Sequence, residues 1–266
     1  PGLQALIHVT VAPGSAINSG TIGFGLGPRI NAAGRLDDAM TAVKLLTARD
    51  PETAKELAEE LNSANQERQA LSQKIFEEAE RQLAKQGPPE WSLVLGEEGW
   101  HPGVIGIVAS RMTEKYHLPS VLLSIDGETA KGSCRSIPPL DLYQALDRCR
   151  DHLVQFGGHA QAAGLTIRTA EIPAFREAFA RVVAEMLDHK PYEPAAVPDW
   201  FVPEDREITP EAVAQLAQME PFGVGNPAPV LGFAKAQIQE VSLLGRDHNH
   251  LKFLLKQGGF RYKGLL

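Results

Sequence analysis

Two short segments of the chain carry residue types that suit the binding of a phosphate group. The first is KGSCRS, residues 131–136, in which Ser133 and Ser136 flank Arg135. An arginine offers a planar fork of N–H donors to phosphate oxygens, and a serine hydroxyl adds a neutral donor without crowding. The alternative is a solvated hairpin strand that carries an ordinary surface arginine. These residues alone leave both interpretations open.

The second segment is FGGHAQAAG, residues 156–164. Gly157 and Gly158 can adopt positive φ angles and leave their N–H groups unshielded, which predicts a small anion-binding turn with the His159 side chain beside it. The alternative is a tight turn between a helix and a strand, because glycine pairs most often serve turn geometry. The spacing of the two segments permits a shared pocket.

Composition sets the broad class of the protein. With 266 residues, 43% of them hydrophobic, the chain is expected to form more than one domain with real cores. The net charge of −7 disfavours a globally basic nucleic-acid binder. A local basic cleft stays possible, because acidic residues concentrate in residues 56–80 and 185–211, whereas residues 131–150 are mildly basic.

Cysteine usage and hydropathy indicate the cellular setting. Cys134 and Cys149 have neither a paired spacing nor companion histidines, so no disulfide framework or zinc site is predicted and a reducing, cytoplasmic location is expected. No apolar run approaches the roughly 20 residues that span a bilayer, so no membrane association is expected. The first residue is Pro1 and the last residues, RYKGLL, read as an interrupted strand, which predicts a piece of a longer protein.

The first third of the chain divides into a compact segment and a long helix. Residues 2–11 are strand-like, and residues 22–39 are predicted to be a loop whose small residues place Arg29, Asn31 and Arg35 rigidly. A helix over residues 51–86 is predicted from Asp50 as N-cap, proline at the first position and GPP as the stop. Its length of about 54 Å, at 1.5 Å per residue, favours a bridge between two bodies. Its apolar stripe drifts from a strict heptad, which disfavours the alternative of a coiled-coil dimer.

The remainder predicts an α/β layer and a small β-rich unit. Residues 91–189 alternate as βαββαβα, with His101 as the cap of a helix that begins at Pro102 and with both candidate segments along one rim of the sheet. After a proline-rich linker, we predict a short helix at 209–219 and strands at 234–245 and 250–257, joined by a polar turn at 246–249. Such short strands with glycines at corners suit a small barrel.

Four strings together resemble the RecJ family of single-stranded-DNA exonucleases in the DHH phosphoesterase superfamily. They are LGPRINAAGRLDDA, GWHPGVIGIVASR, KGSCRSI with FGGHAQAAG, and PFGVGNPAPV. The resemblance covers nearly the whole chain. It implies the C-terminal end of a DHH catalytic domain at 1–47, a connecting helix at 48–88, a DHH-associated domain at 89–189 and an incomplete OB-like nucleic-acid-binding domain at 190–266.

The resemblance implies a 5′-to-3′ exonuclease acting in DNA recombination and repair, with two Mn²⁺ or Mg²⁺ ions at its hydrolytic centre. The chain departs from the family, because it contains neither an Asp-His-His triplet nor an Asp-x-Asp string. The pair Asp37-Asp38 belongs to a matched string and is not assigned a metal. We therefore expect the hydrolytic centre outside this chain, no metal bound by it and no nuclease activity from it alone.

Site roles follow from the same resemblance. Ser133 and Arg135 of the first segment would bind a terminal 5′ phosphate. His159, beside its glycine pair, would contact the scissile phosphate or its neighbour. The polar residues before the long helix would line the DNA path. The full set of expected site residues is Ser133, Arg135, Ser136, Gly157, Gly158, His159, Arg35, Asn31 and Arg29. The OB-like unit would hold the strand by base stacking.

The implied partners are single-stranded DNA with a 5′ phosphate, a RecQ-type helicase and a single-strand-binding protein. Two other functions stay open. One is a DHH-family phosphodiesterase for small nucleotides or oligoribonucleotides, which the unit beyond residue 190 disfavours. The other is a non-catalytic nucleic-acid-binding or tRNA-editing appendage, which the NAAGR string disfavours. Nothing in the helix stripe demands a dimer.

Overall fold

The computed structural model describes residues 1–36, 38–87, 89–245 and 250–266. The chain divides into two compact units, Pro1–Pro194 and Ala195–Leu266. Across these described ranges, no helix is both long enough and apolar enough to cross a bilayer.

The first unit begins with a helical layer where a strand and a loop were predicted. Residues 2–10 form a helix rather than a strand, because Leu6 is fully buried among helices together with Leu45 and Leu61. Residues 22–36 are also helical, so the loop prediction is wrong. The elements are α1 (Gly2–Thr10), a π-helical segment (Thr21–Leu26), α2 (Gly27–Leu36) and α3 (Met40–Thr47).

Helix α4 (Pro51–Gln86) has the predicted bounds. Asp50 caps it, with one carboxylate oxygen accepting the Thr53 amide at 2.8 Å, and Gly87 ends it with a φ of +88°. Pro88, part of the predicted stop, lies outside the described residues. The N-terminal half of α4 packs against α1 to α3, and the C-terminal half packs against the α/β domain. Buried Asn65 lies between these two apolar clusters.

The α/β domain is built on a five-stranded sheet with the order β1-β2-β3-β5-β4. Only β1 and β2 are parallel, and the other neighbours are antiparallel. One face packs against α4 and α5, and the other packs against α6 and α7. The bounds are β1 (Leu93–Glu98), α5 (Pro102–Tyr116), β2 (Ser120–Asp126), β3 (Thr129–Arg135), α6 (Leu142–Asp147), β4 (Leu153–His159), β5 (Ala162–Arg168) and α7 (Ile172–Met186).

The mixed α/β class is confirmed, with one strand more than predicted. The segment of strand β4 is predicted from the sequence as the end of the preceding helix and a turn. It is an edge strand that exposes Val154 and contains two glycines, so it lacks the apolar alternation of a half-buried strand. Helix α6 is correspondingly shorter than predicted.

Among its described residues, the second unit contains one short helix and two small sheets. A three-stranded antiparallel sheet has the order β10-β9-β8, and β6 pairs in parallel with β7. These described strands do not join into a closed barrel, and the predicted turn at 246–249 lies outside the described residues. The bounds are β6 (Trp200–Val202), α8 (Pro210–Ala217), β7 (Leu231–Phe233), β8 (Gln237–Leu244), β9 (His250–Gln257) and β10 (Phe260–Leu265).

Helix α8 depends on its N-cap. The Thr209 hydroxyl accepts the Ala212 amide at 3.2 Å. Thr209→Ala should therefore destabilise α8 by about 1 kcal/mol, whereas Thr209→Ser should retain the cap. Hydrogen exchange of the α8 amides measures this difference. Equal protection in the two variants would contradict it.

Candidate phosphate-binding site

Arg135, at the end of β3, is held in one orientation by three hydrogen bonds. Its Nε donates to the Ser110 hydroxyl at 3.1 Å, and its Nη1 donates to the Ser133 hydroxyl at 3.2 Å and to the Cys134 carbonyl oxygen at 2.8 Å. No acceptor for Nη2 lies among the described residues. The guanidinium group is thus fixed in place with one nitrogen unused.

Ser133 presents a second unused donor beside the first. Its oxygen accepts from Arg135, and its own proton has no acceptor in the described part of the chain. Both groups lie against Gly106 of α5, where an added Cβ would be 2.8 Å from Ser133 Oγ and 3.0 Å from Arg135 Nη2. The missing side chain of Gly106 lets the helix approach the two donors closely. Together these donors suit an anion.

The charge of Arg135 is not neutralised within the described residues. None of the ion pairs among them includes Arg135, Arg35 or Arg68. Burial lowers the pKa of Arg135, the adjacent Cys134 opposes this, and the charge of Arg35 lowers the pKa further. A partly buried cation without a carboxylate partner favours an anionic ligand.

Arg68 is a site candidate that the sequence did not identify. Burial and then the charge of Arg35 lower the pKa of Arg68, and the charge of Arg35 also lowers the pKa of Arg135. The Arg68 guanidinium donates to Asn65 Oδ1 at 3.0 Å and 3.3 Å. In the sequence, Asn65 and Arg68 show only as polar interruptions of the apolar stripe of helix α4. The available signal was an asparagine and an arginine three residues apart within that stripe.

Arg35 lies at the junction of α2 and α5. Its Nη1 donates to the Gly103 carbonyl oxygen at 3.2 Å, and an added Cβ at Gly103 would overlap the Arg35 carbonyl oxygen. The prediction that His101 caps α5 is confirmed, because its Nδ1 accepts the Gly103 amide at 3.1 Å. Two helices from different parts of the sequence thus bring Arg35 towards Arg135.

Arg29 and Asn31 differ in their surroundings. Arg29 donates to Asn62 Oδ1 and to the Gly25 carbonyl oxygen, each at 2.9 Å, and burial lowers its pKa. The bond to Asn62 attaches α2 to α4, so Arg29 has a structural task. Asn31 is exposed and lines, with Arg35, a cavity of about 570 Å³. DNA contacts by either residue stay predictions.

Ser136 uses its hydroxyl proton within the chain. Its Oγ lies 2.8 Å from the Leu140 carbonyl oxygen and 3.3 Å from that of Ile137, and its amide donates to the Gln161 carbonyl oxygen at 3.0 Å. This geometry favours Ser133 over Ser136 as a donor to phosphate. The bond to Gln161 joins the two candidate segments directly.

The glycine pair lies in strand β4 rather than in a turn. The turn is formed by Ala160 and Gln161, which contradicts the prediction of a nest at Gly157 and Gly158. Of the two glycines, Gly158 adopts a positive φ of +152°. An added Cβ at Gly158 would overlap the Ala162 carbonyl oxygen, so close pairing with β5 requires this glycine.

His159 is exposed at the end of β4. Its Nδ1 accepts the Gln161 amide at 3.2 Å, which orients the ring through the adjoining turn. Nε2 has no partner among the described residues. The ring is therefore positioned to contact a ligand, and its role stays a prediction.

The described residues do not fit a divalent metal. No group of three or more His, Cys, Asp or Glu among them could hold an ion. Both cysteines are free and buried, and desolvation raises the pKa of Cys134 to about 12 and that of Cys149 to about 11. Their thiols stay protonated at neutral pH, which makes them poor metal ligands and nucleophiles.

The α/β domain and the β-rich second unit define the class of protein to which the chain belongs. The DHHA1 domain family matches residues 91–185, and the RecJ OB domain family matches residues 202–266. The chain belongs to the RecJ family.

Similar proteins extend over almost the whole chain. Single-stranded-DNA-specific exonuclease RecJ of Bacillus subtilis is 36% identical over 96% of the chain, and that of Haemophilus influenzae is 35% identical over 97%. The chain spans 33% and 46% of these relatives, respectively.

Solved structures agree with this assignment. RecJ of Thermus thermophilus in complex with Mg²⁺ superposes with a TM-score of 0.80 at 30% identity, over 98% of this chain and 40% of the other. The complex of the same protein with Mn²⁺ gives 0.79 at 32% identity, over 99% and 38%.

Proposed function

We propose that the chain is the end-binding and strand-binding part of a single-stranded-DNA-specific 5′-to-3′ exonuclease in recombination and repair. The carrying observation is the pair of unused donors, Arg135 Nη2 and the Ser133 hydroxyl, that converge beside Gly106. The relatives' description as single-stranded-DNA-specific exonucleases supports the substrate class.

Arg135 and Ser133 would hold the terminal 5′ phosphate. A terminal phosphate carries close to two negative charges at neutral pH, whereas an internal phosphodiester carries one. A fixed, partly buried guanidinium group gains more from the dianion, and its hydrogen bonds with charged oxygens are the strong ones. This preference would make the enzyme begin at a 5′ end.

His159, Arg35 and Arg68 would contact the strand beyond its end. Nε2 of His159 would donate to the scissile phosphate or its neighbour, and the two arginines would neutralise further phosphates. Asn31 would line the same path at the cavity beside α2. Arg29 would act indirectly by holding α2 in place.

The second unit would bind bases. It contains a groove of about 810 Å³ lined by Trp200, Leu216 and Arg206, and residues Trp200 and Phe201 are 47% and 57% exposed. Exposed aromatic rings with a nearby arginine suit base stacking without sequence preference. The RecJ OB domain match favours a long strand over a dinucleotide or a small nucleotide.

Several further assignments belong to this proposal. We divide the protein at the predicted boundaries, 1–47, 48–88, 89–189 and 190–266. Mg²⁺ or Mn²⁺, which the Thermus structures contain, would be held by residues other than those described. The family resemblance alone supports two proposed partners, a RecQ-type helicase and a single-strand-binding protein. It is also the only support for a cytoplasmic location.

Single-strand binding should weaken as salt rises. If Arg35, Arg68 and Arg135 each engage one phosphate, log K should fall against log salt with a slope of about −2, at about −0.7 per phosphate. Fluorescence anisotropy with a labelled oligonucleotide measures the slope. Arg68→Ala should reduce its magnitude by about 0.7. Arg81→Ala, on the same helix but paired with Glu78, is the matched control. A flat salt response would refute the strand-binding role.

A further inference from the structure

Two serines accept hydrogen bonds from Arg135. Ser110 accepts from its Nε, and Ser133 accepts from its Nη1. Ser110 lies on α5, one turn after Gly106. Its hydroxyl donates to the Gly106 carbonyl oxygen at 3.2 Å and its oxygen accepts from Arg135 Nε at 3.1 Å. A serine hydroxyl has a single proton, and here that proton is already donated in the hydrogen bond to the Gly106 carbonyl oxygen. Ser110 therefore faces Arg135 only as an acceptor.

This contact completes the immobilisation of the guanidinium group. Ser110 fixes Nε, and the acceptors from β3 fix Nη1. Because the group is planar, holding two of its nitrogens sets the direction of the third. Nη2 then lies beside Gly106, next to the hydroxyl of Ser133.

Without Ser110, Arg135 would keep its charge but lose its fixed direction. The Nε–H would lack this acceptor, and the guanidinium group could turn about its side-chain torsions. A ligand would then have to order the group during binding, which costs affinity that a preorganised site retains.

We propose that Ser110 is a positioning residue for recognition of the 5′ phosphate: it orients Arg135 so that Nη2 and the Ser133 hydroxyl address the same phosphate group. This inference rests on the proposed role of Arg135 as the ligand of the terminal phosphate.

The test compares matched oligonucleotides with a 5′ phosphate and a 5′ hydroxyl, bound to the 266-residue chain. Ser110→Ala should lower the affinity ratio of the two ends by about twofold to tenfold, because the ligand must then order one long side chain during binding. Ser110→Thr retains the hydroxyl and should restore most of the ratio. Ser124→Ala, which removes a hydroxyl bonded to the Trp100 carbonyl oxygen in the same domain, should leave the ratio unchanged.

A spectroscopic measurement separates positioning from general stability. The Arg135 Nε–H proton, assigned by NMR with Arg135→Lys, should exchange with solvent faster in Ser110→Ala than in the parent. Faster exchange with a reduced ratio supports the inference. An unchanged ratio in Ser110→Ala, with a parent that prefers the phosphate, overturns the role of Ser110 and leaves that of Arg135 intact. A parent without any preference for the phosphate overturns the proposed function as well.

Discussion

Replacing Arg135 with alanine should abolish most of the proposed preference of this chain for a 5′-phosphorylated single strand over a 5′-hydroxyl strand. The guanidinium group is partly buried, fixed by three hydrogen bonds and free of a carboxylate partner among the described residues. Charge-assisted hydrogen bonds contribute about 1.5–3 kcal/mol, so the affinity for the phosphorylated end should fall about tenfold to a hundredfold. Affinity for the hydroxyl end should change little.

Arg135→Lys should recover only part of this preference. A lysine keeps the positive charge, but it cannot bond simultaneously with Ser110, Ser133 and the phosphate in the same planar arrangement. Arg148→Ala is the control, because Arg148 pairs with Glu185 at the surface of the same domain. Anisotropy titrations at fixed salt compare the four proteins. A ratio of affinities in Arg135→Ala equal to that of the parent would exclude Arg135 as the end-binding residue.

Elements with strong local signals were predictable from the sequence. Helix α5 begins at the predicted residue because His101 caps it and Pro102 occupies its first position, and α4 has the corresponding features at Asp50 and Pro51. These signals act within a few residues, so they do not depend on the rest of the fold.

Elements stabilised by tertiary packing were not predictable in this way. The residues of α1 include β-branched types that favour strands, yet the burial of Leu6 among α3 and α4 makes the segment helical. Strand β4 exists because β5 supplies its hydrogen-bond partners, although its glycines and exposed residues disfavour a strand. In both cases the stabilising partner lies elsewhere in the sequence.

The same distinction applies to the site. Ser133 and Arg135 were identifiable as candidates because their chemistry and spacing are local. Ser110 approaches Arg135 across 25 positions of sequence. Small residues such as Gly106 in α5 indicate close packing on the sheet, but the sequence does not specify that Gly106 meets the side chains of Ser133 and Arg135.

Two glycines of α5 should respond differently to the same substitution. Gly106→Ala places a methyl group 2.8 Å from Ser133 Oγ and 3.0 Å from Arg135 Nη2, which are side-chain atoms that can shift only by disturbing the orientation of the two side chains and the hydrogen bond between those side chains. Gly103→Ala places its methyl group against the carbonyl oxygen of Arg35, which belongs to the backbone of α2. The first change should disturb the phosphate site, and the second should disturb the packing of two helices.

Gly106→Ala should therefore lower the affinity for a 5′ phosphate about tenfold through the loss of aligned charge-assisted bonds. Its stability should stay within about 1 kcal/mol of the parent, because the helix propensity of alanine offsets the crowding. Gly103→Ala should destabilise the first unit by about 1–3 kcal/mol in urea unfolding, as overpacking does. The opposite pattern, with Gly106→Ala unfolding readily and Gly103→Ala only losing phosphate preference, would mean that Gly106 supports the fold and that the anion lies elsewhere.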